Sequence, residues 1–378
     1  MTSTGTENVI TALGQSNRVC QVILYLAGWQ LEEVLAPMQV PFPELTNLRL
    51  FADDETPPII PDSFLDGSAP RLESFLLSGI PFPGLPKLLL SADHIVYLEL
   101  INIPHSGYIS PEAIVTLLCA LSGLDTFTLE FQSHQSLPDL ESRSPPPPKR
   151  SILPALDQFR FKGVVEYLEE LVTSLDAPQL NLLFITFFNQ IDFECPRLAQ
   201  FINRTISLGA LNEAHVEFSD DFASIKLQYQ TSMSGFYDLL INISCREPDW
   251  QLSSIEQVCN FSFQPLSTVE DLYIDHEYSQ LDWKNDAIEN TQWLQLLLPF
   301  TVVKNLYLSK EFAPGIAVTL QELVGAGIVV LPSLQNISVE GLEPSGPLQE
   351  NFGQFVTARQ LSRRPVTISG WDKDSDME

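Results

Sequence analysis

One spacing of apolar positions recurs along the chain: apolar-x-x-apolar-x-apolar, often with a proline just ahead. It stands as Leu45, Leu48 and Leu50, as Leu72, Phe75 and Leu77, and as Ile95, Leu98 and Leu100. It returns at Leu124, Phe127 and Leu129, at Leu156, Phe159 and Phe161, and at Leu180, Leu183 and Ile185. The second half carries Leu211, Ala214 and Val216; Phe236, Leu239 and Ile241; Val269, Leu272 and Ile274; Val303, Leu306 and Leu308; and Leu334, Ile337 and Val339. A weaker copy lies at 19–24. In most copies a polar residue or tyrosine stands between the last two apolar ones, the period of a strand buried on one face; Leu76, Phe184 and Leu240 are the exceptions. From Leu45 to Leu334 the steps average about 29 residues, at the long end of the leucine-rich-repeat range.

The stretches between copies read mostly as helices. Ser110 and Pro111 give a capping residue and a first-turn proline ahead of 113–121. Val164, Leu168, Leu171, Val172 and Leu175 share one helical face over 164–175. Residues 7–13, 31–38, 196–206, 253–259, 292–298, 314–324 and 350–361 read similarly. Strand and helix in alternation predict an α/β fold, a leucine-rich-repeat-like solenoid or horseshoe of about 11–12 irregular repeats. Its parallel sheet lines the concave side and its helices the convex side. A single domain is expected over 1–369, with 7–13 and 350–361 as its end caps. Two segments break the pattern: a polar Pro-rich loop at 132–151, which holds a PxxPxR match at 145–150, and an irregular insertion at 219–234. An acidic, disordered tail is expected at 370–378.

Composition narrows the function. Of 378 residues, 44% are hydrophobic, too many for a disordered chain. Acidic residues outnumber basic ones 48 to 20, a net charge of −28. That excess argues against a nucleic-acid partner, which needs a basic footprint, and against an anionic membrane surface. The five cysteines are dispersed and form no CxxC pair, which suits free thiols in a reducing compartment. Cys119, inside an apolar helix, reads as a core residue. The first residues show no basic stretch ahead of an apolar block, and no apolar run reaches the roughly 20 residues that span a bilayer. A cytoplasmic or nuclear protein is expected.

No catalytic constellation stands out. The histidines lack metal-ligand spacing, and neither a GxSxG elbow nor a phosphate-cradling glycine loop occurs. The chain reads as a non-enzyme with no cofactor and no metal. Function then falls to the polar positions that alternate with the buried ones. In the first half these include Arg160 and Lys162. In the second they gather Glu213, His215, Glu217, Asp238, Asp271, Tyr273, Asp275 and Tyr307. Carboxylates interleaved with tyrosines suit a protein partner with a basic surface, and His215 between two glutamates is a candidate pH-sensitive contact.

The segments VPFPELTNLRL (40–50), 53–90, IPHSGYISPEA (103–113), PDWQLSSIEQVC (248–259) and LYLSKEFAPGIA (306–317) resemble fungal F-box proteins whose C-terminal part is a degenerate leucine-rich-repeat array. The resemblance covers nearly the whole chain. It implies a substrate-binding repeat domain of a cullin-type ubiquitin ligase receptor. Two departures accompany it. Residues 1–40 show no F-box pattern, so binding of the adaptor Skp1 is implied only if an F-box is restored; an orphan repeat scaffold without a ubiquitin link is the alternative. The asparagine that usually follows each repeat is also missing, with Asp53, Ile80, Ile103 and Gln132 in its place, so the turns need another source of hydrogen bonds.

Overall fold

The computed structural model describes residues 3–52, 58–133, 150–189, 193–209, 211–229, 237–260, 263–276, 290–326, 329–342 and 346–372. It is mixed α/β, with mostly parallel sheet. The chain divides into two compact units, Met1–Phe184 and Ile185–Glu378.

In the first unit the strands are β1 (Gln21–Leu26), β2 (Asn47–Ala52), β3 (Ser74–Ser78), β4 (Tyr97–Ile103), β5 (Thr126–Phe131) and β7 (Gln158–Gly163), paired in that order and all parallel. A separate parallel pair is formed by β6 (Ser151–Ile152) and β8 (Leu175–Asp176), and β9 (Leu182–Phe187) straddles the division. The helices are α1 (Ser3–Leu13), α2 (Gly28–Leu35), α3 (Leu85–Leu89), α4 (Pro111–Ala120) and α5 (Val165–Thr173). The register aligns the repeat copies: Leu48, Phe75, Leu98, Phe127 and Phe159 are successive partners, as are Leu50, Leu77, Leu100, Leu129 and Phe161. All are buried. Equal spacing in sequence thus becomes a continuous apolar layer, covered by stripes such as Ile114, Leu117 and Leu118 of α4. The Ala113 amide donates to Ser110 Oγ at 3.3 Å, capping that helix as its sequence predicts.

At the strand entries the carbonyls of Thr46, Glu73, Val96 and Asp125 each accept two amides from the next strand, at 2.8–3.1 Å. At an exit, the Gly79 amide donates to the Ile101 carbonyl at 2.9 Å. Gly79 has φ +73°, and a Cβ there would stand 2.2 Å from the Ala52 carbonyl oxygen, so only glycine fits.

In the second unit the strands are β10 (Glu213–Phe218), β11 (Phe222–Gln228), β12 (Leu239–Ser244), β13 (Asp271–His276), β14 (Asn305–Leu308), β15 (Asn336–Glu340) and β16 (Thr367–Trp371). Their spatial order is β12-β11-β10-β13-β14-β15-β16. The helices are α6 (Pro196–Arg204), α7 (Pro248–Asn260), α8 (Asn290–Leu297), α9 (Ala313–Ala326) and α10 (Pro347–Leu361). Here too the copies align: Ala214, Leu272, Leu306, Ile337 and Ile368 are successive parallel partners.

Four expectations are corrected. The insertion placed at 219–234 is not irregular in its described part: β11 lies between β10 and β12, antiparallel to both, so the sheet is not wholly parallel. The cause is local. Ser219 Oγ accepts from the Phe222 amide at 3.2 Å, and Ser219 N–H donates to the Phe222 carbonyl at 2.9 Å. That turn is too short for the crossover a parallel strand requires. The tail expected from 370 onward instead gives Gly370 and Trp371 to β16, while 373–378 lie outside the described residues. Cys119 is exposed and bonds Ser151 Oγ at 2.8 Å, because it falls beside the Ile114–Leu117–Leu118 stripe. Of the loop placed at 132–151, Ser151 lies in β6, and 134–149, with most of the PxxPxR match, lie outside the described residues.

Candidate recognition face

The strands of the second unit bury one set of alternate residues and leave the other set on an open face, which parallel register sorts into three rows. The entry row is Glu213, Asp271, Asn305, Asn336 and Thr367. It is a chain of side-chain hydrogen bonds: Thr367 Oγ1 donates to Asn336 Oδ1 (2.6 Å), Asn336 Nδ2 to Asn305 Oδ1 (2.7 Å), and Asn305 Nδ2 to Asp271 Oδ1 (2.5 Å). The chain closes over Asp271, which is 7% exposed despite its place on the open face.

The middle row is His215, Tyr273, Tyr307, Ser338 and Ser369. The rings stack like plates: His215 on Tyr273 with centroids 4.4 Å apart, and Tyr273 on Tyr307 at 4.2 Å. Parallel strands separated by about 4.8 Å impose this spacing on any identical row of rings. Ser338 next in the row is small, and Trp371 fills the space above it. Its ring reaches 5.6 Å from Tyr307 and 5.9 Å from Tyr273. Burial first, then the neighbouring Tyr307, Glu213 and Asp271, drive the Tyr273 phenol far above its ordinary pKa, so it remains a neutral hydrogen-bond donor.

The exit row pairs Glu217 with Asp275, and Glu340 with Trp371. Antiparallel β11 supplies counter-groups. Lys226 Nζ bonds Glu217 and lies 4.9 Å from the Tyr237 ring centre. Gln228 Nε2 donates to Glu213 Oε1 at 2.7 Å, and the same oxygen meets His215 Nε2 at 2.7 Å. The His215 bond is the main cause of the lowered Glu213 pKa, opposed by partial burial. Asp275 Oδ1 accepts the His276 amide at 2.6 Å. Asp238 stands just before β12, its Oδ2 accepting the Tyr229 amide at 3.0 Å; burial raises its pKa. Ser224 Oγ and Asn242 Oδ1, register partners on the same face, are buried with no hydrogen-bond partner among the described residues.

Of the residues singled out from sequence, seven are thus brought to one face: Glu213, His215, Glu217, Asp271, Tyr273, Asp275 and Tyr307. Arg160 and Lys162 belong to β7 in the first unit, where the Arg160 guanidinium lies 4.6 Å from the Phe184 ring centre and both cations offset the burial that raises the Glu130 pKa. Sequence reasoning missed Trp371, Lys226 and Gln228. The alternation Val366, Ile368 ahead of Trp371 was available as a strand signal, and so was Ala223, Ile225, Leu227 for β11. Among the described residues no group of three potential ligands stands close enough to hold a metal ion, and no helix is long and apolar enough to cross a membrane.

Compared with family models, the chain matches none. Compared with curated proteins, it has no significant match.

Proposed function

We propose that the chain is a non-enzymatic protein-recognition module, built as a leucine-rich-repeat-like solenoid of about 11–12 repeats and acting in the cytoplasm or nucleus. The in-register repeat copies support the repeat reading. The resemblance to the substrate-binding half of F-box receptors supports the functional one. The observation that carries the recognition role is the middle row of the second unit: stacked rings capped by Trp371, with carboxylates in the rows on either side. An ammonium or guanidinium from a basic partner can lie against the Trp371 ring beside Glu340 and Asp275, a cation–π contact reinforced by charge. Lys226 over Tyr237, beside Glu217, is the same arrangement made within the chain.

The test is affinity capture from cells with the full chain and with Asp275→Lys/Glu340→Lys. The reading predicts a reproducible partner with a basic surface, lost from the variant and weakened by salt. Recovery of Skp1 alongside it supports the ubiquitin link. Captures that agree between the two proteins contradict the reading.

A further inference from the structure

The open face of the first unit carries a different irregularity. In a chain with 48 acidic residues and 20 basic ones, a cation finds a carboxylate easily. Arg71 pairs with Glu44, Lys304 with Glu270 and Arg246 with Asp221. Arg49 of β2 has no such partner. Among the described residues it makes no hydrogen bond and no ion pair, although it is only partly exposed and its Nε is wholly shielded. On the same row its register neighbours are Ile23 and Leu76, both apolar, and the carboxylate of Glu99 stands a further strand away.

Two more polar groups beside it are unsatisfied. Asn47 and Ser74 are register partners on β2 and β3, one step along the face from Arg49. Asn47 Oδ1 and Ser74 Oγ are both buried with no partner among the described residues, and Ser74 is 7% exposed. Shielding one guanidinium nitrogen and two polar oxygens with no partner among the described residues destabilises the free protein. A ligand that supplies the missing partners removes that cost.

We infer that Arg49, Ser74 and Asn47 form a binding site for a carboxylate side chain on an apolar segment of a protein partner. The guanidinium fork matches a carboxylate, the apolar flanks strengthen the pairing by lowering the local dielectric, and Ser74 can turn its hydroxyl to donate. The surroundings favour a peptide over a free anion. Ile23 is 50% exposed and Tyr25 69% exposed, and the Tyr25 ring stacks on Phe51 at 4.2 Å. These give apolar neighbours of the carboxylate a surface to cover. The site stands on the first unit alone and does not rest on the acidic face of the second.

The probe is the capped tripeptide acetyl-Phe-Glu-Leu-amide, titrated at constant ionic strength into the full 15N-labelled chain. The readout is the Arg49 Nε–H cross-peak, assigned by its loss in Arg49→Lys. A saturable shift is expected, with binding about tenfold weaker for the Glu-to-Gln tripeptide, since the charge-assisted pair is lost. Thermal unfolding gives a second readout: the tripeptide should raise the melting temperature of the wild type and of Arg71→Gln, but not of Arg49→Met. A cross-peak that stays put, one that moves equally with the Gln tripeptide, or a melting shift that survives in Arg49→Met overturns the proposal. Inorganic phosphate that moves the cross-peak as far as the Glu tripeptide overturns the choice of a peptide carboxylate.

Discussion

On β2 of the first unit a partly exposed guanidinium has no counter-charge among the described residues, while on β10 and β13 of the second unit Glu213, Glu217, Asp271 and Asp275 all have partners. Each face rests on buried apolar positions with the same repeat spacing, so the difference lies in the alternate positions and, in the second unit, in antiparallel β11. On the second face Lys226 serves Glu217, His215 and Gln228 serve Glu213, Asn305 serves Asp271 and a backbone amide serves Asp275. Acidity read from sequence is therefore not the same as available charge. What a partner meets there is the partly exposed Trp371 with Glu340 beside it.

Substitutions can separate what the two faces share from what they do not. The largest effect belongs to the shared layer. Leu98→Ala and Leu272→Ala, at equivalent repeat positions, should each cost roughly 2–5 kcal/mol in urea unfolding; a near-neutral result at either would deny that the copies bury alike. Next comes Lys226→Met, which leaves Glu217 largely buried and unpaired and should cost roughly 1–3 kcal/mol. Arg71→Ala, in an exposed pair with Glu44, should stay within about 1 kcal/mol. Equal effects would mean that β11 is not needed to neutralise its face. Tyr273→Leu removes two stacked pairs and should cost roughly 1–2 kcal/mol, against less than about 1 kcal/mol for Tyr25→Leu, whose ring has one stacked partner and is mostly exposed.

The smallest effect is in acid. The folded-state pKa of Glu213 is lowered, so its bond to His215 contributes stability above the carboxyl's ordinary pKa, and that contribution disappears as the pH falls through the lowered one. Glu213→Gln should flatten the acid limb of the stability profile and shift the neutral plateau only slightly. An unchanged acid limb would count against the bond.

The layer was legible before the structure because it is written in spacing: Leu48, Phe75 and Leu98 fall in register as their intervals imply. Helix α4 was legible from Ser110 and Pro111. Strand β11 was legible only as the alternation Ala223, Ile225, Leu227, without the three-residue step that marks the other copies, and its antiparallel direction comes from the serine turn ahead of it. Trp371 was hidden by the acidic residues that follow it and by Gly370 where a leucine would complete the repeat. The pairing of the carboxylates was out of reach for a different reason. It depends on which side chains register brings opposite each other across strands tens of residues apart, such as Asp271 and Asn305.

The recognition role of the second face is tested most directly by fluorescence anisotropy with a labelled lysine-rich peptide at two ionic strengths. Asp275→Lys/Glu340→Lys is compared with Glu33→Lys/Asp93→Lys, which changes the net charge equally on the first unit. The account predicts that the first pair weakens binding about tenfold and flattens its salt dependence, while the second pair leaves both close to wild type. Equal losses in the two variants would mean that the peptide senses only the overall charge, and would contradict it.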